Sequence, residues 1–144
     1  MSQAQGGTAF AAERPLVMQR IPTLVGTGGH FAGEIHPLEY GKTISVGRSR
    51  SADFSLRRTQ KYREQDPNTR ETDASAKTVS GKHFEITMYN LGSIEIRNLS
   101  SNGTFVDGKR IDSAIVDDVA KTSHEIRFGQ NEILKLEMRV HEDL

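Results

Sequence analysis

Four short motifs carry side chains suited to chemistry: Gly47-Arg48, Ser80-Gly81-Lys82-His83, Ser100-Ser101-Asn102-Gly103-Thr104 and Asp107-Gly108. They supply a guanidinium, hydroxyls, an ammonium, an amide and an imidazole, a set rich in hydrogen-bond donors. No nucleophile stands paired with a base, so the set reads as binding chemistry and the chain as a non-enzyme. Taken singly, each residue has a plainer reading. An arginine after a strand is most often surface charge, and Ser80 and Asn102 alone are ordinary turn or capping residues. Their shared register lifts them: the four motifs follow one another in order, each beside a strand.

Other constellations are weaker. Gly41-Lys42-Thr43 suggests a nucleotide-binding P-loop, which needs a glycine where His36 stands and a helix where a strand follows. Asp117, Asp118 and His124 could serve a metal hydrolase, but adjacent acids on a loop are usually solvated and no metal is expected. His30, His36 and His141 lack ligand spacing and read as surface residues. Gly26-Thr27-Gly28-Gly29 reads as a flexible turn.

The elements that must hold these residues are strands. Phe84, Ile86 and Met88 alternate with polar neighbours, as do Ile94 and Ile96, Ile126 and Phe128, and Leu134, Leu136, Met138 and Val140. Period two marks half-buried strands with the apolar face inward. Shorter candidates are Leu16–Met18, Leu24–Val25, Thr43–Val46, Phe54–Leu56 and Thr104–Val106. Asp107-Gly108 between Val106 and Lys109 is a strong hairpin signal, because both residues tolerate positive φ. Many short strands with turns between them give an all-β sandwich or barrel. Ile111–Val119 is the nearest candidate for a helix and is short. Residues 57–79 break the rhythm. They are polar, with six Lys/Arg and four Asp/Glu, and read as a long polar loop, a kind that is usually functional or disordered.

In this order, the motifs resemble the forkhead-associated (FHA) domain, whose pattern is Gly-Arg, Ser-x-x-His, Ser-x-Asn-Gly-Thr and an Asn/Asp-Gly turn. The resemblance covers roughly residues 16–140. It implies an FHA-type β-sandwich of about eleven strands with binding loops at one end. It further implies a phosphothreonine reader. A phosphothreonine carries about −1.5 to −2 charges and three strong acceptors. In that role Arg48 offers a planar donor fork, Ser80 a hydroxyl, and Ser101 a second hydroxyl or an orienting group. Asn102 clamps the ligand backbone, Gly103 and Thr104 shape its turn, and Gly47 allows a sharp exit from its strand. His83 braces the loop. Gly81 departs from the pattern, since an Arg or Asn there can touch phosphate; Lys82 is the nearest substitute donor. Lys77 and Thr78 stand where the family often selects a further ligand residue.

Length and composition frame this reading. The 144 residues suit one domain: an N-terminal leader over 1–15 and an FHA domain over 16–144. Nineteen basic residues balance nineteen acidic ones, which argues against a nucleic-acid partner. No cysteine is present, so disulfides and thiolate chemistry are excluded. Met1–Gly7 lacks a signal-peptide pattern, and no apolar run approaches the ~18 residues of a membrane span. The expectation is a cytoplasmic module with no cofactor and no membrane partner, binding a phosphothreonine-containing protein in kinase signalling. The alternative is a phosphate-independent scaffold of the same fold. Self-association is a further route, because a neighbouring copy could bind Thr59, Thr69, Thr72 or Thr78 once phosphorylated.

Overall fold

The computed structural model describes residues 18–142. The expected leader and the first residues of the Leu16–Met18 strand lie outside them. Eleven strands form two sheets. The first contains β1 (Met18–Gly28), β2 (Ile35–Pro37), β7 (Thr104–Val106), β8 (Lys109–Ile111), β10 (His124–Phe128) and β11 (Glu132–Glu142), in the order β2-β1-β11-β10-β7-β8. The second contains β3 (Thr43–Gly47), β4 (Phe54–Ser55), β5 (Phe84–Asn90), β6 (Ser93–Asn98) and β9 (Ser113–Val116), in the order β4-β3-β5-β6-β9.

The alternating residues behave as their period requires. Ile86 lies between Ile44 and Ile96, Met88 opposite Ile94, and Ile126 opposite Leu134. All are buried, so each sheet offers an apolar inner face to the other. Phe128 of β10 packs edge-on to Phe84 of β5 at 5.2 Å and tilted to Phe31 at 5.6 Å, which joins the sheets at one end. That end carries the polar motifs. Val46 pairs with Phe84 and Phe84 with Asn98, so the loops after β3, before β5 and after β6 emerge side by side.

Several expectations need correction. Residues 57–79 are not structureless. A 3-10 turn over Leu56–Arg58 leads into three one-turn helices, α1 (Gln60–Arg63), α2 (Pro67–Glu71) and α3 (Ala74–Lys77). Each helix is started by a side-chain cap: Thr59 accepts from the Tyr62 N–H, Asp66 from Asn68 and Asp73 from Ala76. Leu56, Tyr62, Ala76 and Val79 anchor the segment in the core. The helix candidate at Ile111–Val119 is instead the end of β8 followed by β9, where Val116 pairs with Ile94 and Ala114 with Ile96. Leu56 leaves the strand predicted over Phe54–Leu56. Val140 is 54% exposed, because beyond Leu136 β11 has lost β10 and keeps only β1 as a neighbour. Gly26–Gly29 is an ordered close approach, since a Cβ on Gly26 would fall 1.6 Å from the Phe31 carbonyl oxygen.

The three histidines read as surface residues are also tied in. His30 lies between Asp73 (2.8 Å) and Glu132 (3.0 Å), with its side chain 11% exposed. His36 packs against Phe54, and burial lowers its pKa despite the nearby carboxylates. His141 meets Thr23 Oγ1 at 3.1 Å.

Candidate functional site

The site is assembled by backbone contacts between the motif loops. After β3 the Arg48 N–H donates to the Ser80 carbonyl (2.9 Å) and the Ser49 N–H to the Gly81 carbonyl (3.1 Å). Gly47 is what allows this. A Cβ there would fall 2.2 Å from the Gly81 oxygen and 2.8 Å from the Ser80 oxygen. The glycine therefore serves close backbone approach rather than the sharp strand exit expected of it. Gly81, by contrast, has room for a side chain, its nearest neighbour being Ser49 Cβ at 3.7 Å.

His83 is fully buried and joins two loops. Its Nδ1 accepts from the Ser80 N–H (3.0 Å), and its Nε2–H donates to the Gly103 carbonyl (2.8 Å). This requires the neutral ring protonated at Nε2. Burial pushes its pKa below 6.5, against the opposing pull of the Gly103 carbonyl. With both nitrogens engaged by backbone, His83 has none left to deprotonate Ser80, so the pair cannot act as nucleophile and base.

The Ser80 hydroxyl instead lies 2.6 Å from the Ser100 hydroxyl, which also accepts from the Asn102 N–H (3.1 Å). Asn98 fixes that turn: its Oδ1 accepts from Ser100 N–H and Thr104 Oγ1, and its Nδ2 donates to the Ser100 carbonyl. Gly103, at φ 87°, supplies the left-handed residue the turn needs. Ser101 and Asn102 are exposed on it. The Ser101 carbonyl accepts from Arg110, and Asn102 Nδ2 donates to the Thr78 carbonyl (2.8 Å), which leaves Oδ1 without a partner among the described residues. Lys82 is exposed, and Thr104 is buried.

Arg48 has no ion pair or side-chain hydrogen bond among the described residues, and it lines a cleft together with residues of the helical segment. The structure thus brings Arg48, Ser80, Gly81, Ser101 and Asn102 to one end of the sandwich, with Gly47, His83, Gly103 and Thr104 beneath them. The sequence names Ser100 in its motif without a role and gives no sign of Asn98, yet the two order this turn; the Asn-x-Ser spacing of a side-chain-capped turn was the available signal. Nor does it give a sign of the cleft.

Other candidates resolve differently. His124 meets Asp118 and Asp107, each at 2.6 Å, and Asp117 is not part of the group. Burial alone would lower the His124 pKa, but the two carboxylates hold it raised. Asp107 and Gly108 both have positive φ, as the expected hairpin turn requires. Thr59 is buried, which removes it as an accessible phosphorylation site in the folded chain; Thr69 is exposed.

A sandwich of eleven strands with a Gly-Arg, Ser-x-x-His, Ser-x-Asn-Gly loop cluster at one end defines a class of binding modules. The model of the FHA domain family matches residues 44–129, and the chain belongs to that family. Among solved structures, the FHA domain of the CT664 protein from Chlamydia trachomatis is 24% identical, covering 83% of this chain and 98% of its own, with TM-score 0.57. An FHA domain studied for phosphothreonine-dependent interactions is 25% identical, covering 83% and 97%, with TM-score 0.55. The N-terminal FHA domain of Saccharomyces cerevisiae Rad53p, in complex with a phosphothreonine peptide, is 16% identical, covering 83% and 94%, with TM-score 0.56. No curated protein matches the chain.

Proposed function

We propose that this chain is a phosphothreonine-dependent protein-binding module of kinase signalling, acting in the cytoplasm on a phosphorylated partner protein. The observation that carries the reading is Arg48. Its backbone is locked to the Ser80 loop, while its guanidinium has no partner among the described residues and Arg48 lines a cleft. Two of the similar FHA domains are described with phosphothreonine, which supports the same ligand here.

Arg48 binds two phosphate oxygens through its planar fork. Ser80 donates to a third. If Ser100 donates its proton to Ser80 while accepting from the Asn102 N–H, the Ser80 proton is left to point at phosphate. Ser101 contributes the second hydroxyl, and Lys82 adds charge at the rim. Asn102 clamps the ligand backbone through Oδ1, or through Nδ2 once the Thr78 carbonyl is displaced. Gly81 supplies no side-chain donor, and this favours the second reading, a scaffold with little dependence on phosphate.

The test is calorimetric titration of a phosphothreonine peptide library into wild type, Arg48→Ala and Asn102→Ala. Charge-assisted hydrogen bonds are worth roughly 1.5–3 kcal/mol each, so Arg48→Ala should weaken binding at least tenfold at unchanged melting temperature. Asn102→Ala should also weaken it. Wild-type affinity in both variants would sink the site assignment.

A further inference from the structure

We propose that the cleft beside Arg48 receives a second anionic side chain of the same ligand, so that the preferred partner carries a phosphate or carboxylate in addition to its phosphothreonine. This rests on the phosphopeptide reading.

The cleft has a volume of about 670 Å³, and five cations line it: Arg48, Arg50, Arg57, Arg70 and Lys77. Two come from the loop after β3 and three from the helical segment. None makes an ion pair or a side-chain hydrogen bond among the described residues. The chain as a whole has no net charge, so this concentration is local. Two carboxylates also line the cleft, Glu71 and Asp73. Asp73 is already committed: Oδ2 accepts from Gln65 and faces His30, and Oδ1 accepts from the Ala76 N–H.

One phosphothreonine brings about two negative charges at most, which Arg48 and the serine hydroxyls can meet. Three further cations then remain on the helical segment, with Glu71 the one uncommitted carboxylate among them, so this part of the cleft keeps a net positive charge that attracts another anion. That segment is fixed in place. Tyr62 and Ala76 are buried, Gln60 N–H donates to Glu34, Asn131 to Ser75, and Gln130 N–H to Thr78 Oγ1. Three cations on a fixed segment, without partners among the described residues and lining the same cleft as the arginine assigned to the phosphate, suit a ligand with a second anion.

The test uses fluorescence anisotropy with a phosphothreonine peptide, the same peptide with phosphoserine placed at each neighbouring position in turn, and a matching glutamate series. The proteins are wild type and the triple variant Arg57→Ala, Arg70→Ala, Lys77→Ala. At one or more positions the second phosphate should tighten wild-type binding by about tenfold or more. The triple variant should lose that gain of about tenfold while its affinity for the singly phosphorylated peptide falls by less than about threefold. An equal gain from glutamate would assign the subsite to carboxylates as well as phosphates. Arg57→Gln and Lys77→Gln, at exposed positions, give the same readout should the triple variant melt early. The proposal is overturned if no position gains, or if the gain survives in every variant. Failure of wild type to bind any phosphopeptide would instead overturn the phosphopeptide reading, and this proposal with it.

Discussion

Gly47 and Gly81 meet at the mouth of the site, and only Gly47 is required by the fold. A Cβ on Gly47 would strike two carbonyl oxygens of the Ser80 loop. Gly47→Ala should therefore destabilise the domain by about 1–3 kcal/mol, visible as a lower melting temperature. Gly81→Asn should leave stability within about 0.5 kcal/mol and tighten phosphopeptide binding, because it adds a donor where there is space. His83 sets a pH limit. Its folded pKa lies below 6.5, so the unfolded chain protonates first as pH falls. Its contribution to stability is complete above about 6.5 and is lost as pH falls through the folded value. His124, held above 6.5, runs the other way: its contribution is present below that value and lost as pH rises through the folded one. His83→Gln should flatten the acid loss of stability seen by thermal melting between about pH 7 and pH 5. Melting is the right readout, since phosphate itself titrates near pH 6. Arg48, Ser80, His83 and Asn102 are legible in the sequence because their order is distinctive. The part Ser100 plays is not, because Ser101 beside it has the same chemistry and only the fold decides which hydroxyl faces Ser80.

At the scale of elements, legibility follows length and period. β5, β6, β10 and the first half of β11 alternate over enough residues to declare their inner faces. The helical segment cannot, because a single turn of helix has no repeat to detect. Its caps at Thr59, Asp66-Pro67 and Asp73 were the only local signals, and its position depends on distant residues. Glu132 shows this dependence. Its buried carboxylate accepts from the His30 and Phe31 N–H groups and meets His30 Nδ1, and His30 reaches on to Asp73. Glu132→Ala strands these donors and should cost roughly 3 kcal/mol. Limited proteolysis should then cut first within residues 57–79, which lose their tie to β11. Cutting elsewhere first would contradict that anchoring.

At the scale of the whole molecule, charge is balanced in sum and uneven in place. A formal net charge of zero hides a cleft with five cations, and no composition count could reveal it, because the cations come from separate stretches that only the fold brings together. Binding should accordingly weaken as salt rises, since the charges that meet the ligand are exposed or only half-buried. On the proposed function, a threonine phosphate decides whether this protein binds. One measurement tests it directly: anisotropy titration of the wild-type chain against matched peptides that are unphosphorylated, phosphorylated on serine, or phosphorylated on threonine. Binding confined to the phosphothreonine set is the expected result. Equal binding in all three sets, or binding in none, would contradict it and leave the sandwich as a phosphate-independent scaffold.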